Sequence, residues 1–155
     1  MGVAVVVGAT GFVGSYIVKQ LLNDGHEVRA TCRNIELSQW VKDVGGKETQ
    51  NKVSLHEFEY GTDGKPKNED SSKELEANLI SGADAVFFCV GYEKQEPETI
   101  TYMINSCMTV LQAAKMEMKK TGKKVETKRL RNIRIFSLCH CWTNSNLKAI
   151  FSNIN

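Results

Sequence analysis

The sequence predicts an α/β protein: an open, doubly wound parallel sheet of about five strands with helices on both faces. Three observations carry this. Val3 to Val7 is a run of five apolar residues that ends abruptly at Gly8; a Val-rich run bounded by a turn residue suits a strand buried on both faces. A glycine-punctuated turn, Gly8-Ala9-Thr10-Gly11-Phe12-Val13-Gly14, leads into a helical pattern and then into an alternating stretch, Glu27 to Cys32. Further on, Ala83 to Val90 (ADAVFFCV) is again apolar on both faces and precedes a long amphipathic segment. Strand and helix patterns that alternate in this way build parallel sheets.

In the first unit Val13, Ile17 and Leu21 share a helical stripe, with Val18 and Leu22 beside it. Asn23-Asp24-Gly25 stops the helix, and Gly25 suits the residue just past its end. Val28, Ala30 and Cys32 then lie on one face of the second strand. Strand, glycine turn, helix and strand make a βαβ unit with a phosphate-binding entrance. The glycines let the backbone turn tightly and let a pyrophosphate approach, and the first free N–H groups of the helix, near Phe12 and Val13, face it with the helix dipole behind them. The competing reading is a turn that only packs strand against helix; the strand-to-helix context favours the ligand.

Ile35 to Val44 is expected to form a short helix with Ile35, Leu37, Trp40, Val41 and Val44 as its apolar set, ended by Gly45-Gly46. Lys47 to Lys52 is polar and reads as a loop. Val53 to Tyr60 alternates and reads as the third strand, closed by Gly61-Thr62-Asp63-Gly64. Lys65 to Ser72 is a charged surface loop, after which Ser72 caps a helix over Lys73 to Ser81 with Leu75, Leu79 and Ile80 inward. Beyond the fourth strand, Ile100, Met103, Ile104, Cys107, Leu111 and Ala114 recur at spacings of three and four, which predicts a helix ending near Met118. Ile133 to Cys139 reads as a fifth strand, and the last stretch, Trp142 to Asn155, has four asparagines and little periodicity.

Composition bounds the function. A chain of 155 residues with 41% apolar and 25% charged residues is an ordinary globular chain of one domain, and a net charge of +2 singles out no partner. No apolar stretch approaches the roughly 18 residues of a membrane span, the N-terminus lacks the basic region of a signal peptide, and no acylation motif is present, so no membrane association is expected. Lys115 to Arg134 holds nine basic residues against Glu117 and Glu126. Without interleaved aromatic residues this is a solvated helix end and loop, and no nucleic-acid partner is expected. Five cysteines at unpatterned spacings suit a reducing compartment, and a cytoplasmic location is expected. Cys139-His140-Cys141 has no second Cys/His pair at zinc spacing, so no metal site is expected.

The glycine spacing, Gly-x-x-Gly-x-x-Gly in GATGFVGS, closely resembles that of the extended short-chain dehydrogenase/reductase family, and GHEVRATCRN is most similar to its dihydroflavonol reductase and cinnamoyl-CoA reductase branch. The resemblance is strong over residues 3–34, traceable to about Cys139, and then stops. It implies a Rossmann-like fold with strand order 3-2-1-4-5 and a nicotinamide dinucleotide over the switch point between strands 1 and 4. It implies cofactor contacts from Gly8, Thr10, Gly11, Phe12, Val13 and Gly14, from Val90 and Gly91 over the ribose, and from Asp63 beside the adenine ring. For Asp63 the plain alternative is turn chemistry, Asp-Gly being a common turn pair. Asn105 matches a helix Asn that touches the strand-end loop in relatives.

Cofactor choice follows from the end of the second strand. An NAD-selective site usually offers Asp or Glu there; here Thr31-Cys32-Arg33-Asn34 has no acid, and Arg33 can grip a 2′-phosphate with its planar fork of donors. NADP(H) is therefore the expected cofactor. Arg29 could point the same way from the strand or be a surface charge.

In the family a Tyr with a Lys four residues on does the acid–base work, and a Ser orients the substrate oxygen. Aligning the fifth strand puts Cys139 at the place of that Ser, with Ser137 one or two positions early. None of Tyr16, Tyr60, Tyr92 and Tyr102 is followed four residues later by Lys, and the chain ends 16 residues past Cys139. No catalytic residue is therefore assigned. The expected organisation is an incomplete NADP(H)-binding domain over 1–141 and an atypical tail over 142–155. The expected function is the cofactor-binding half of a carbonyl reductase, inactive as this chain; a non-catalytic NADP(H)-binding sensor or an incomplete gene product are the alternatives. The fifth strand, left without its neighbours, is expected to be a sheet edge prone to self-association.

Overall fold

The computed structural model describes residues 2–67, 73, 75–91, 97–121 and 134–137. The expected order is what the chain adopts. A five-stranded, wholly parallel sheet runs β3-β2-β1-β4-β5, with β1 at Val3–Val7, β2 at Glu27–Cys32, β3 at Val53–Glu57, β4 at Ala85–Phe88 and β5 at Arg134–Ser137. The long helices are α1, Phe12–Asn23, and α2, Pro97–Lys120. Short 3-10 helices span Glu36–Asp43 and Lys47–Lys52, and a π-helical segment spans Leu75–Ile80. Among the described residues no helix is long and apolar enough to cross a membrane.

Alternation along the strands splits the core into two layers. Ala4 and Val6 of β1 and Phe87 of β4 pack with Ile17, Val18, Leu21 and Leu22 of α1. Val5, Val7, Val86 and Phe88 face the other way, onto Leu75, Leu79 and Ile80 of the π-helical segment and Val110, Ala113 and Ala114 of α2. Each central strand thus buries both faces, which is why β1 and β4 are continuous apolar runs. The stop after α1 is as expected: Gly25 has φ +84°, its N–H donates to the Leu22 carbonyl, and the His26 N–H donates to that of Leu21.

Four expectations change. Residues 36–43 are helical, but Leu37 is 79% and Trp40 46% exposed, while Ser38 and Val41 are buried. The helix is 3-10, with three residues per turn, so Ser38, Val41 and Val44 form one row and Leu37 and Trp40 another. Lys47 to Lys52 is not a loop but a second short 3-10 helix. In α2 the inward stripe is Ser106, Val110, Ala113, Ala114 and Glu117, while Ile100, Ile104 and Leu111 stay exposed. Hydrophobicity alone misplaces this face: small residues let the helix approach the sheet, and Glu117 is held by the Ser81 hydroxyl at 3.3 Å and the Gly82 N–H at 3.1 Å. Finally, β3 ends at Glu57 rather than Tyr60, although the Phe58 N–H still donates to the Cys32 carbonyl at 2.8 Å. Ser72, Cys139 to Cys141 and the stretch 142–155 lie outside the described residues.

Candidate functional site

A cleft of about 450 Å³ opens at the carboxyl ends of β1, β2, β3 and β4, with β1 and β4 at its floor. Strand order reverses direction there, since the chain proceeds outward from β1 to β2 and β3 on one side and to β4 and β5 on the other. Of the residues singled out from sequence, Gly8, Thr10, Gly11, Arg33, Val90 and Gly91 line this cleft. Phe12, Val13, Gly14 and Asp63 do not contribute side chains to its wall.

The three glycines have different reasons to be glycine. Gly8 has φ +83°, and a Cβ there would press within 3.1 Å of the Cys89 carbonyl group. At Gly14 a Cβ would stand 2.2 Å from the Gly8 oxygen, so this glycine sets how closely α1 meets β1. Gly11 is different. It is exposed, its φ of −75° suits any residue, and a Cβ would meet only the Gly8 oxygen at an ordinary 3.5 Å. The fold itself does not require glycine at 11; the space over it is the cleft.

Gly11 is also the N-cap of α1, and no side chain caps it. Ser, Thr, Asp or Asn is the usual choice at such a position, because the first N–H groups of a helix have no intrahelical partner. Phe12 is 93% exposed and Val13 packs on the α1 layer of the core, so what both offer at the start of the helix, beside the cleft-lining Gly11, is backbone N–H. With the dipole of a twelve-residue helix behind them, these groups suit an anion.

Sequence reasoning missed Thr31, which is buried and ties two strand ends together. Its hydroxyl accepts the Gly8 N–H at 3.0 Å, and its carbonyl accepts that of Ala9 at 3.2 Å. Arg33, two residues on, is exposed on the cleft wall. Arg29 points elsewhere: its guanidinium donates to the Leu79 and Ser81 carbonyls at 2.8 and 2.6 Å, closing the end of the π-helical segment.

The acid in the wall is Glu59. Asp63 is used by its turn, where its carboxylate accepts the Lys65 N–H at 3.0 Å and lies 3.8 Å from the Lys65 ammonium. The turn chemistry of Asp-Gly thus accounts for Asp63, while Glu59, just past the end of β3, lines the cleft. Asn105 does touch a strand-end loop, donating to the Asp63 carbonyl at 2.6 Å. Tyr60 and Tyr102 complete this wall; Tyr60 packs edge-on against Phe58 at 4.8 Å and against Tyr102 at 6.1 Å. The clue in sequence was the alternation of Val53 to Tyr60, which puts Glu59 at the strand's mouth two residues beyond Glu57.

The titratable groups of the wall sit far from neutrality. The Lys67 ammonium, bonded at 2.7 Å, holds the Glu59 carboxyl below its usual range, first through that hydrogen bond and then through its charge, with a smaller pull from Arg33. Burial drives the Tyr60 phenol far up, with Tyr102 and Cys107 adding to it, and its oxygen has no hydrogen-bond partner among the described residues. Burial pushes the Cys89 thiol up to about 12. Burial also raises the Cys32 thiol above its ordinary value.

Comparison with known proteins agrees with this geometry. Residues 2–100 match the sequence model of the NmrA-like family. Dihydroflavonol 4-reductase of barley, Hordeum vulgare, is 30% identical over 122 residues, covering 74% of this chain and 31% of that protein. An NAD-dependent epimerase/dehydratase of Aspergillus terreus is 50% identical over 40 residues, 26% of this chain and 12% of that one. The chain therefore spans about a third or less of the curated relatives it matches. Among solved structures, an NADPH-dependent reductase of bacilysin biosynthesis superposes with a TM-score of 0.62 at 15% identity, over 99% of this chain and 65% of that one. The yeast methylglyoxal/isovaleraldehyde reductase complexed with NADPH gives 0.52 at 19%, over 76% and 33%. At these identities the superpositions show the fold, a Rossmann-like sheet. The match over residues 2–100 shows that the chain belongs to the NmrA-like family.

Proposed function

We propose that this chain binds NADP(H) in the cleft and forms the dinucleotide-binding half of a carbonyl reductase. The observation that carries the proposal is Gly11: an exposed, uncapped helix start whose glycine the fold does not need, opening onto a cleft of dinucleotide-binding position. In this reading the N–H groups of Phe12 and Val13 bind the pyrophosphate over Gly11, and Gly8, Thr10 and Gly14 shape the approach. Arg33 takes the 2′-phosphate, and Val90 and Gly91 flank the ribose. Glu59 takes the place beside the adenine that the resemblance suggested for Asp63. The nicotinamide, when bound, supplies hydride chemistry; the chain's residues orient it and exclude water from the floor of the cleft.

The reading extends to an absence of turnover by this chain, since the sequence has no Tyr-x-x-x-Lys pair to protonate a substrate oxygen. It also keeps a cytoplasmic location, 1–141 as the cofactor domain, and self-association through β5, which stands at a sheet edge among the described strands. Titration calorimetry with NADPH and NADH tests the central part. Tighter binding of NADPH, lost in Arg33→Ala, supports it; equal affinities, or an unaltered preference in Arg33→Ala, contradict it. Absorbance at 340 nm with ketones, aldehydes and acyl-CoA esters tests the absence of turnover.

A further inference from the structure

Residues 59–67 fold back on themselves at the rim of the cleft. Tyr60 and Pro66 bridge antiparallel, the Lys67 N–H donates to the Glu59 carbonyl at 3.1 Å, and the Gly61 N–H donates to the Lys65 carbonyl at 2.7 Å. The bend needs Gly64, which has φ +76° and whose Cβ would stand 2.2 Å from the Tyr102 carbonyl oxygen. Asn105 fastens the same bend to α2. The hairpin is therefore anchored to the helix, and its pairing returns the chain to Glu59 with Lys67 opposite.

The outcome is a three-charge arrangement. The Glu59 carboxylate, which lines the cleft with Arg33, meets the Lys67 ammonium at 2.7 Å, and Lys67 outweighs Arg33 in its effect on that carboxyl. Both members of the pair are exposed, and exposed pairs add little to stability. Their consequence is the potential at the rim. In the cofactor reading Glu59 lies beside the adenine on the same rim as Arg33, and a bare carboxylate there repels a 2′-phosphate on the adjoining ribose. Arg33 alone would have to overcome it.

We propose that Lys67 is a specificity-determining residue: by pairing with Glu59 it cancels that carboxylate's charge, so that the Arg33 end of the cleft accepts a 2′-phosphate. The inference rests on the cofactor reading above and assigns its preference to the balance of Arg33, Glu59 and Lys67. The experiment is calorimetric titration of the full chain with two nucleotide probes, 2′,5′-ADP and AMP, against wild type, Lys67→Met, Glu59→Gln and the double variant. Lys67→Met is expected to weaken 2′,5′-ADP roughly three- to tenfold, the scale of one charge contact at an exposed site, while AMP changes less than about twofold. Glu59→Gln should bind 2′,5′-ADP at least as tightly as wild type. The double variant should recover the wild-type affinity, which a merely structural role for Lys67 would not produce. Equal weakening of both probes by Lys67→Met, no weakening, or a double variant as weak as Lys67→Met would overturn the proposal. Wild type binding both probes with Lys67 indifferent overturns this inference alone; wild type binding neither overturns the cofactor reading with it.

Discussion

The two walls of the cleft are built on different principles. The wall from β1, α1 and β2 is largely backbone: glycines at 8 and 11, an uncapped helix start, and Thr31 tying the strand ends together, with Arg33 at its edge. The wall after β3 is side chain: Glu59, Tyr60 and Tyr102, with a hairpin that brings Lys67 back to the rim. A backbone turn of this kind leaves a fixed signature in sequence where, as at Gly8 and Gly14, a Cβ would collide with neighbouring backbone. Side-chain binding depends on which residue the fold turns inward, and a neighbour two or four positions away looks equally plausible on paper. Asp63 and Glu59 are that case.

The comparison breaks most visibly at the glycines. Gly14→Ala puts a Cβ against the Gly8 oxygen, a backbone atom that cannot step aside. We expect a loss of about 3 kcal/mol, the upper range for overpacking, read as a lowered denaturant midpoint. Gly64→Ala, on the other wall, combines a positive φ with a contact against the Tyr102 carbonyl and is expected to cost about 2–3 kcal/mol. Gly11→Ala should change stability by less than about 0.5 kcal/mol, as a surface substitution does. Matching losses at 11 and 14 would mean that the glycine turn is a packing device throughout.

Thr31→Val removes the acceptor of the Gly8 N–H while keeping the shape of the side chain. The expected cost is about 1–2 kcal/mol, the range for leaving a donor unsatisfied, and the mouth of β1 should show faster amide exchange. Asp63→Ala should weaken its turn by no more than about 0.5 kcal/mol and leave NADPH affinity within about twofold, because its carboxylate serves Lys65. A larger loss of affinity in Asp63→Ala than in Glu59→Ala would return the adenine side of the cleft to Asp63.

The smallest effect concerns Cys89. Burial raises its thiol to about 12 in the folded chain against an ordinary value of 9.0. The neutral thiol is the favoured form, so its contribution to stability is complete below about pH 9 and is lost as pH rises toward 12. Native protein at pH 8 should resist alkylation at Cys89 by iodoacetamide, and rapid labelling there would show that the cleft floor is open to water.

Much of the fold was legible because its strands are buried on both faces. Val3 to Val7 and Ala85 to Phe88 admit few readings, and Gly25 marks its helix end by a conformation that favours glycine. The helices were less legible where tertiary contact overrode pattern. Leu37 and Trp40 stay outside since a 3-10 turn aligns every third residue. Ile100, Ile104 and Leu111 stay outside since α2 docks through Ser106, Ala113 and a hydrogen-bonded Glu117. Arg29 reads in sequence as a surface charge or a second phosphate ligand beside Arg33, and it is neither: its guanidinium donates to the carbonyls at 79 and 81.

The central claim is that Gly11 is glycine for a ligand and not for the fold. Calorimetric titration of NADPH into wild type and Gly11→Asp, with thermal midpoints measured on the same samples, tests it most directly. The account predicts that wild type binds one NADPH per chain and that Gly11→Asp melts within a few degrees of wild type yet gives no binding heat. A Gly11→Asp chain that binds NADPH as tightly as wild type, or a folded wild type that binds none, would contradict it.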